Sequence, residues 1–497
     1  MKLYLQFILI LLIPFLNHSQ NSDFTAAPVI TNHEVNINGS KIEYTAEAGF
    51  QEIFDSKDEA VGALFYTYYQ RKANQKKEAE NRPLVISFNG GPGSASVWMH
   101  IAYTGPRVLK INEEGFPVQP YGIEENPYSI LDVADIVYVN PVNTGYSRGY
   151  KDEKGNIKKE LFFGVQEDVS YLAKWISQFV SQKNRWLSPK YLIGESYGTT
   201  RVSGLAHQLQ NSHWMYLNGV ILVSPTELGI DRNGPVEIAN RIPYFTAAAW
   251  YHEKLPRPFQ NMELEEVLEI SENYAINKLT PVLVKGNSIT DEEKMEVCQS
   301  LEELTGINAR IYQQHNLELP YNYFWKELLR DEGFTIGRLD SRYKGIDEKD
   351  AGERPEYNAE LSSWLHSFTP AINHYLKNDL KVETPAEYLM FGNVYPWDRT
   401  KNNSTGKLLR RAMTQNPNLK VLIQSGYFDG ATTYFNAKYN MWHIDESGKM
   451  KDRFEFKAYK SGHMMYLRRE DLKKSNDDVR DFILKSMEEA NKSSAKY

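Results

Sequence analysis

The stretch KYLIGESYGTTRVSGLAHQL, Lys190 to Leu209, decides how the chain is read. A short apolar run, Tyr191 to Ile193, ends in a Gly-Glu-Ser-Tyr-Gly turn, and a helix-compatible run from Thr199 follows. A serine on a tight strand-to-helix turn presents its hydroxyl at the edge of a sheet, and Gly194 and Gly198 give the backbone room to make that turn. The five-residue pattern alone arises by chance on the order of one time in ten in a chain this long. The strand before it and the helix after it make Ser196 the candidate nucleophile.

Similar apolar runs, each bounded by a polar or glycine-rich turn, occur at LVISFNGG from Leu84, ADIVYVNP from Ala134, GVILVSP from Gly219 and LKVLIQSG from Leu419. Runs of this kind fit strands buried on both faces of a largely parallel sheet. Val165, Val169, Leu172, Ile176, Phe179 and Val180 recur at helical spacing between two of them, as a crossover helix packed on that sheet requires. Ahead of these, HEVNING, SKIEYTAEA and VGALFYTYYQ alternate β-branched and aromatic residues between turn signals and predict antiparallel strands. The fold class is therefore α/β, with a mixed, mostly parallel sheet flanked by helices. From Ile230 the rhythm breaks into helical, charged and aromatic segments, and it resumes at Leu419. The expected division is a core in two parts, residues 21–229 and 385–497, with a helical cap insertion over 230–384, above the sheet edge where open α/β sheets bind ligands.

The 497 residues suffice for one large domain with an insertion, and 41% apolar with 24% charged residues excludes a disordered chain or a multi-pass membrane protein. Lys plus Arg at 57 against Asp plus Glu at 64 gives a net charge of −7 with no basic block, so nucleic acid is not an expected partner. Lys2 precedes an apolar run from Leu3 to Leu16 and a polar stretch, the layout of a secretory signal peptide over residues 1–20, cut near Ser19 or Gln20. No second long apolar run follows, so no membrane association is expected after cleavage. The sole cysteine, Cys298, permits no intramolecular disulfide and reads as a structural thiol. A large exported chain without disulfides suits a bacterial periplasm or exterior.

A serine hydroxyl attacks poorly until a base takes its proton and an acid orients that base. Two downstream segments supply them in the order an α/β sheet of this kind uses. In LKVLIQSGYFDG, Asp429 comes off a predicted strand on a glycine-bracketed loop; in FKAYKSGHMMY, His463 ends another strand-like run. Among eleven histidines this one has the best context: His207 lies within the helix after Ser196, and His252 lacks the second histidine four residues on that a zinc helix would need. The glycine-rich FNGGPGSAS, Phe88 to Ser96, lacks both the phosphate-loop ending and the dinucleotide spacing. It instead suits an oxyanion hole, one N–H coming from Tyr197 after the nucleophile and the other from a glycine of this loop. No metal or cofactor is expected.

Taken together, FNGGPGS, NPVNTGYS (Asn140 to Ser147), GESYGTTR, GYFDG and SGHMMY resemble the serine carboxypeptidase family of the α/β-hydrolase superfamily, in a bacterial-type member. The blocks follow family order from about residue 30 to residue 485, nearly the whole mature chain. The resemblance implies Ser196 as nucleophile, His463 as general base and then acid, Asp429 as its orienting partner, and Gly91 and Tyr197 as oxyanion donors. It further implies that Asn89 and Glu195 bind the free carboxyl terminus of a peptide substrate. Two positions depart from the better-known members: Ser87 stands where they carry tryptophan and Tyr103 where they carry glutamate. Arg107, at the end of the same loop, is a candidate to replace the lost recognition by a direct charge pair. The expected activity is an exported serine carboxypeptidase acting on peptides through an acyl-enzyme. The alternative is an esterase or acyltransferase with the same triad, since fold and triad do not fix the acyl group.

Overall fold

The computed structural model describes residues 24, 26–73, 76–401 and 403–492. The expected signal peptide lies outside them. Ten strands build one mixed sheet: β1 (Val29–Ile37), β2 (Ser40–Phe54), β3 (Ala60–Arg71), β4 (Leu84–Phe88), β5 (Asp135–Val139), β6 (Arg148–Gly149), β7 (Lys190–Glu195), β8 (Gly219–Val223), β9 (Lys420–Gly426) and β10 (Phe454–Tyr459). Their spatial order is β1-β2-β3-β5-β4-β7-β8-β9-β10, with β6 paired to β3. The first three strands and the β3/β5 pair are antiparallel, and every pair from β5 to β10 is parallel.

Alternation along the parallel strands divides the core into two layers. Val85, Ile136, Ile193, Ile221 and Leu422 pack into one cluster, while Leu84, Ile86, Val137, Leu192, Val220 and Ile423 pack into the other. Because both faces are covered, these strands read as continuous apolar runs. Helix Val165–Gln182 lays Val169, Leu172, Ile176 and Phe179 on the second layer, at the spacing its sequence predicts. Between β8 and β9 the described residues are mainly helical, and their only strands, Thr335–Ile336 and Lys344–Gly345, pair with each other. This segment has its own apolar cluster, including Phe245, Leu268, Leu301 and Phe324, which reaches the core through Phe428 and Phe435. Cys298 is buried in that cluster as a free thiol.

Topology places the site. The chain passes from β4 leftward to β5 and then returns to β7 on the other side of β4, so the carboxyl ends of β4 and β7 flank the switch point of the sheet. Register aligns Phe88 with Gly194, Glu195 with Val223 and Val223 with Gln424. Asn89, Ser196 and the loop carrying Asp429 therefore leave the sheet at one edge.

Candidate active site

Ser196 stands between β7 and the helix Tyr197–His213 with φ 58° and ψ −127°, a region L-residues rarely adopt. The surroundings hold it there: its N–H donates to Val223 O at 3.0 Å, and Gly194 and Gly198 are so close that a Cβ on Gly194 would lie 2.2 Å from Gly198 O. The glycine-rich loop packs on the same turn. A Cβ on Gly90 would lie 2.5 Å from Tyr197 N, and Gly91 takes φ 105°. The loop is fixed from below, where Ser96 N donates to Asn140 Oδ1 at 2.8 Å, giving the NPVNTGYS block a structural role.

Asp429 and His463 meet, although 34 residues separate them. His463 Nδ1 lies 2.7 Å from Asp429 Oδ2, and both side chains are buried. Asp429 Oδ1 accepts the N–H groups of Ala431 and Thr432 at 2.8 and 3.0 Å, and Oδ2 also accepts the Thr432 hydroxyl at 2.7 Å. These bonds hold the carboxylate in one orientation, so a neutral His463 carries its proton on Nδ1 and leaves Nε2 free to accept one. Burial alone would lower the imidazole pKa, but the Asp429 charge and its hydrogen bond outweigh it and raise the pKa above the ordinary value.

Ser196, His463, Glu195, Gly90 and Gly91 line one cavity of about 390 Å³, with Trp98, Trp364, Phe391 and Leu361 forming apolar walls. The Glu195 carboxyl accepts Asn89 Nδ2 at 2.8 Å on Oε1 and the Tyr466 hydroxyl on Oε2. Burial dominates its ionisation and pushes its pKa up to about 7, against the lowering effects of His463, Tyr466 and Asn89. Asn89 itself is fixed by Met99 N, which donates to its Oδ1 at 3.0 Å.

Several contributors carried no assigned role in the sequence reading. Tyr466 lies within the SGHMMY block, but nothing in its spacing reveals which carboxyl it meets. Arg201, at the end of GESYGTTR, donates to Asp168 Oδ2 at 2.7 Å and to Asn89 O at 2.5 Å, and Asp168 also accepts the Tyr197 hydroxyl at 3.1 Å. One buried ion pair thus ties the helix Val165–Gln182 to the helix Tyr197–His213 and the glycine-rich loop. A segment from the helical region, Gly337–Arg342, bridges the two acid–base loops. Gly430 N donates to Arg338 O at 3.0 Å, Ser341 N to Phe428 O at 3.0 Å and His463 N to Leu339 O at 2.6 Å. Asp340 and Arg342 form a buried ion pair at 2.6 Å beside Ser461 and Gly462.

Arg107 does not do what its loop position suggested. It opens a short strand, Arg107–Leu109, opposite Ile123–Glu125, and its cross-strand partner is the acid Glu125, 3.6 Å away. Its charge is engaged there, and it does not line the cavity. Ser87 is fully buried in β4, and its hydroxyl has no hydrogen-bond partner among the described residues. Tyr103 is also fully buried, donating to Gln424 Oε1 at 2.7 Å and stacking on Tyr466. His252, at the end of the helix Ile242–Tyr251, bonds Ser341 O of the bridging segment at 2.6 Å. Among the described residues, no cluster of three or more His, Cys, Asp or Glu could hold a metal ion.

The chain is similar to known proteins in sequence and fold. The family model of serine carboxypeptidases matches residues 38–471. "Serine carboxypeptidase-like 16" of Arabidopsis thaliana is 27% identical over 196 residues, covering 37% of this chain and 41% of that protein. The vitellogenic carboxypeptidase of Aedes aegypti is 30% identical over 151 residues, covering 30% of this chain and 28% of that protein. These matches span less than half the length of either relative. The crystal structure of Kex1(Δ)p, a prohormone-processing carboxypeptidase from Saccharomyces cerevisiae, superposes with a TM-score of 0.53 at 15% identity, covering 89% of this chain and 91% of that one. That likeness establishes the α/β-hydrolase fold. With a family model covering most of its length, the chain belongs to the serine carboxypeptidase family.

Proposed function

We propose that the protein is an exported serine carboxypeptidase that removes the last residue of peptides through an acyl-enzyme on Ser196. The observation that carries this reading is the buried Glu195 carboxyl beside Ser196, held by Asn89 and raised to about 7. A substrate carboxylate is repelled by an ionised glutamate but accepts a hydrogen bond from a protonated one.

In this reading Ser196 Oγ attacks the scissile carbonyl while His463 Nε2 takes its proton. Asp429 stabilises the imidazolium, and the N–H groups of Gly91 and Tyr197 receive the oxyanion. His463 then protonates the departing amino group, and water repeats the sequence to free the enzyme. The leaving residue is anchored by its carboxylate at Asn89 and Glu195. Helical residues 230–384 act as the cap that walls the substrate cavity, inserted between the two parts of the core, 21–229 and 385–497. Export rests on the signal-like amino terminus; no helix among the described residues is long and apolar enough to cross a membrane.

The test compares wild type with Ser196→Ala on a blocked dipeptide and on its C-terminal amide. Release of the last residue from the free acid by wild type alone supports the reading. Ester turnover without cleavage of either peptide would instead assign the triad to an esterase or acyltransferase.

A further inference from the structure

The segment Gly337–Arg342 does more than bridge the loops of Asp429 and His463. Its second residue, Arg338, lines the cavity that Ser196 and His463 share. The backbone on either side is held firmly: Arg338 O accepts Gly430 N, Leu339 O accepts His463 N, and Leu339 N donates to the buried Glu360 carboxyl at 2.8 Å. The side chain is different. It is exposed, and among the described residues no hydrogen bond or ion pair engages its guanidinium. Arg241, which lines a neighbouring cavity with Arg338, contrasts with it, lying 3.9 Å from both Glu237 and Glu318 and donating to Leu319 O.

Among the described residues no side chain hydrogen-bonds the Arg338 guanidinium; its charge acts only through space, on Glu360 and on His463. Glu195 is occupied by Asn89 and Tyr466, and Glu227, on the loop after β8, makes no ion pair with it. Leu339, Leu361, Trp364 and Met464 are among the other residues lining this cavity, and none of them carries a charge. Direction follows from the second cavity. It adjoins the first through Arg338 and Ala431 and contains none of the residues around Asn89 and Glu195. A peptide anchored by its carboxylate at those two residues runs toward Arg338 with its acyl part.

We propose that Arg338 is a specificity-determining residue that selects an acidic side chain in the residue donating the acyl group, the penultimate residue of the peptide. This rests on the carboxypeptidase reading for its peptide substrate, while the geometry of the acyl side holds for any acyl group on Ser196.

The experiment uses the purified mature protein with two substrate sets. One is blocked Glu-Leu, Gln-Leu and Lys-Leu; the other is aryl esters of blocked Glu, Gln and Lys, which carry no C-terminal carboxylate. Glutamate is expected to exceed glutamine by about tenfold in kcat/KM, through KM, the worth of one charge-assisted hydrogen bond. Arg338→Gln should level that ratio, and Arg338→Glu should turn it in favour of lysine. Ratios are taken within each variant, so any loss of folded enzyme cancels. Ester selectivity without dipeptide cleavage would remove the carboxypeptidase reading and keep Arg338 as selector. An equal Glu:Gln ratio in wild type and Arg338→Gln overturns the proposal.

Discussion

Tyr103 lies stacked on Tyr466, ring centroids 4.6 Å apart and planes 11° from parallel, and the Tyr466 hydroxyl reaches the Glu195 carboxyl. The position where better-known relatives carry glutamate is thus filled by an aromatic ring that supports another ring. Tyr466→Phe removes a bond that favours the ionised form, so the Glu195 pKa should rise beyond about 7. The alkaline fall in kcat/KM on a blocked dipeptide should move to higher pH; an unmoved limb would exclude Glu195 as its source.

The Glu195 and His463 charges influence one another, so the pH profile belongs to the pair. His463 must be neutral to act as base, and its pKa is raised, so activity climbs only above the ordinary histidine range. Glu195 must be protonated, so peptide binding falls as pH passes about 7. The result is a narrow bell. Glu195→Gln should abolish the alkaline limb and shift the acid limb downward, because the negative neighbour that raised the His463 pKa is gone. Initial rates from pH 4 to 9 measure both shifts.

Asp429 receives four hydrogen-bond donors, which orient the His463 ring as well as balance its charge. Asp429→Asn should leave the fold intact and reduce kcat by about 10⁴-fold through the wrong tautomer. Stoichiometric fluorophosphonate labelling at an undiminished rate would refute this assignment.

The Asp168–Arg201 pair is buried on both sides, so removing one partner strands a charge. Asp168→Ala should destabilise by about 3–5 kcal/mol, whereas Asp168→Leu with Arg201→Met should recover most of that loss. The double variant should also lower kcat, since it removes the Arg201 bond to Asn89 O. Thermal melts on the two variants separate the stability effect from the positioning effect.

Glu360 is fully buried, its Oε2 has no hydrogen-bond partner, and burial pushes its pKa up to about 7. A carboxyl raised in the folded state binds more protons there than in the unfolded chain between about pH 4.3 and 7, so stability falls as pH rises through that window. Glu360→Gln should therefore stabilise at pH 8 by on the order of 1–3 kcal/mol and change little at pH 4. Denaturant titrations at the two pH values give the comparison.

The parallel strands and the crossover helix were legible because their constraints are local. A strand covered on both faces must be apolar throughout, and a helix on a sheet must repeat its apolar residues every three to four positions. Ser196 was legible for the same reason, since a strained turn needs its two glycines beside it in sequence. Chain order and strand ends singled out Asp429 and His463, but only the folded chain brings them to 2.7 Å. Arg107 was misplaced because its engagement by Glu125 depends on a hairpin that closes across intervening loop residues. Tyr466, Arg201 and the segment Gly337–Arg342 act on partners far along the chain, and no periodicity records such contacts. The sequence by itself determined which residues could react, because reactivity follows residue type and local turn geometry. Only the tertiary structure decided what raises the Glu195 pKa and which guanidinium faces the cavity, because burial and charge pairing are set by what the rest of the chain places nearby.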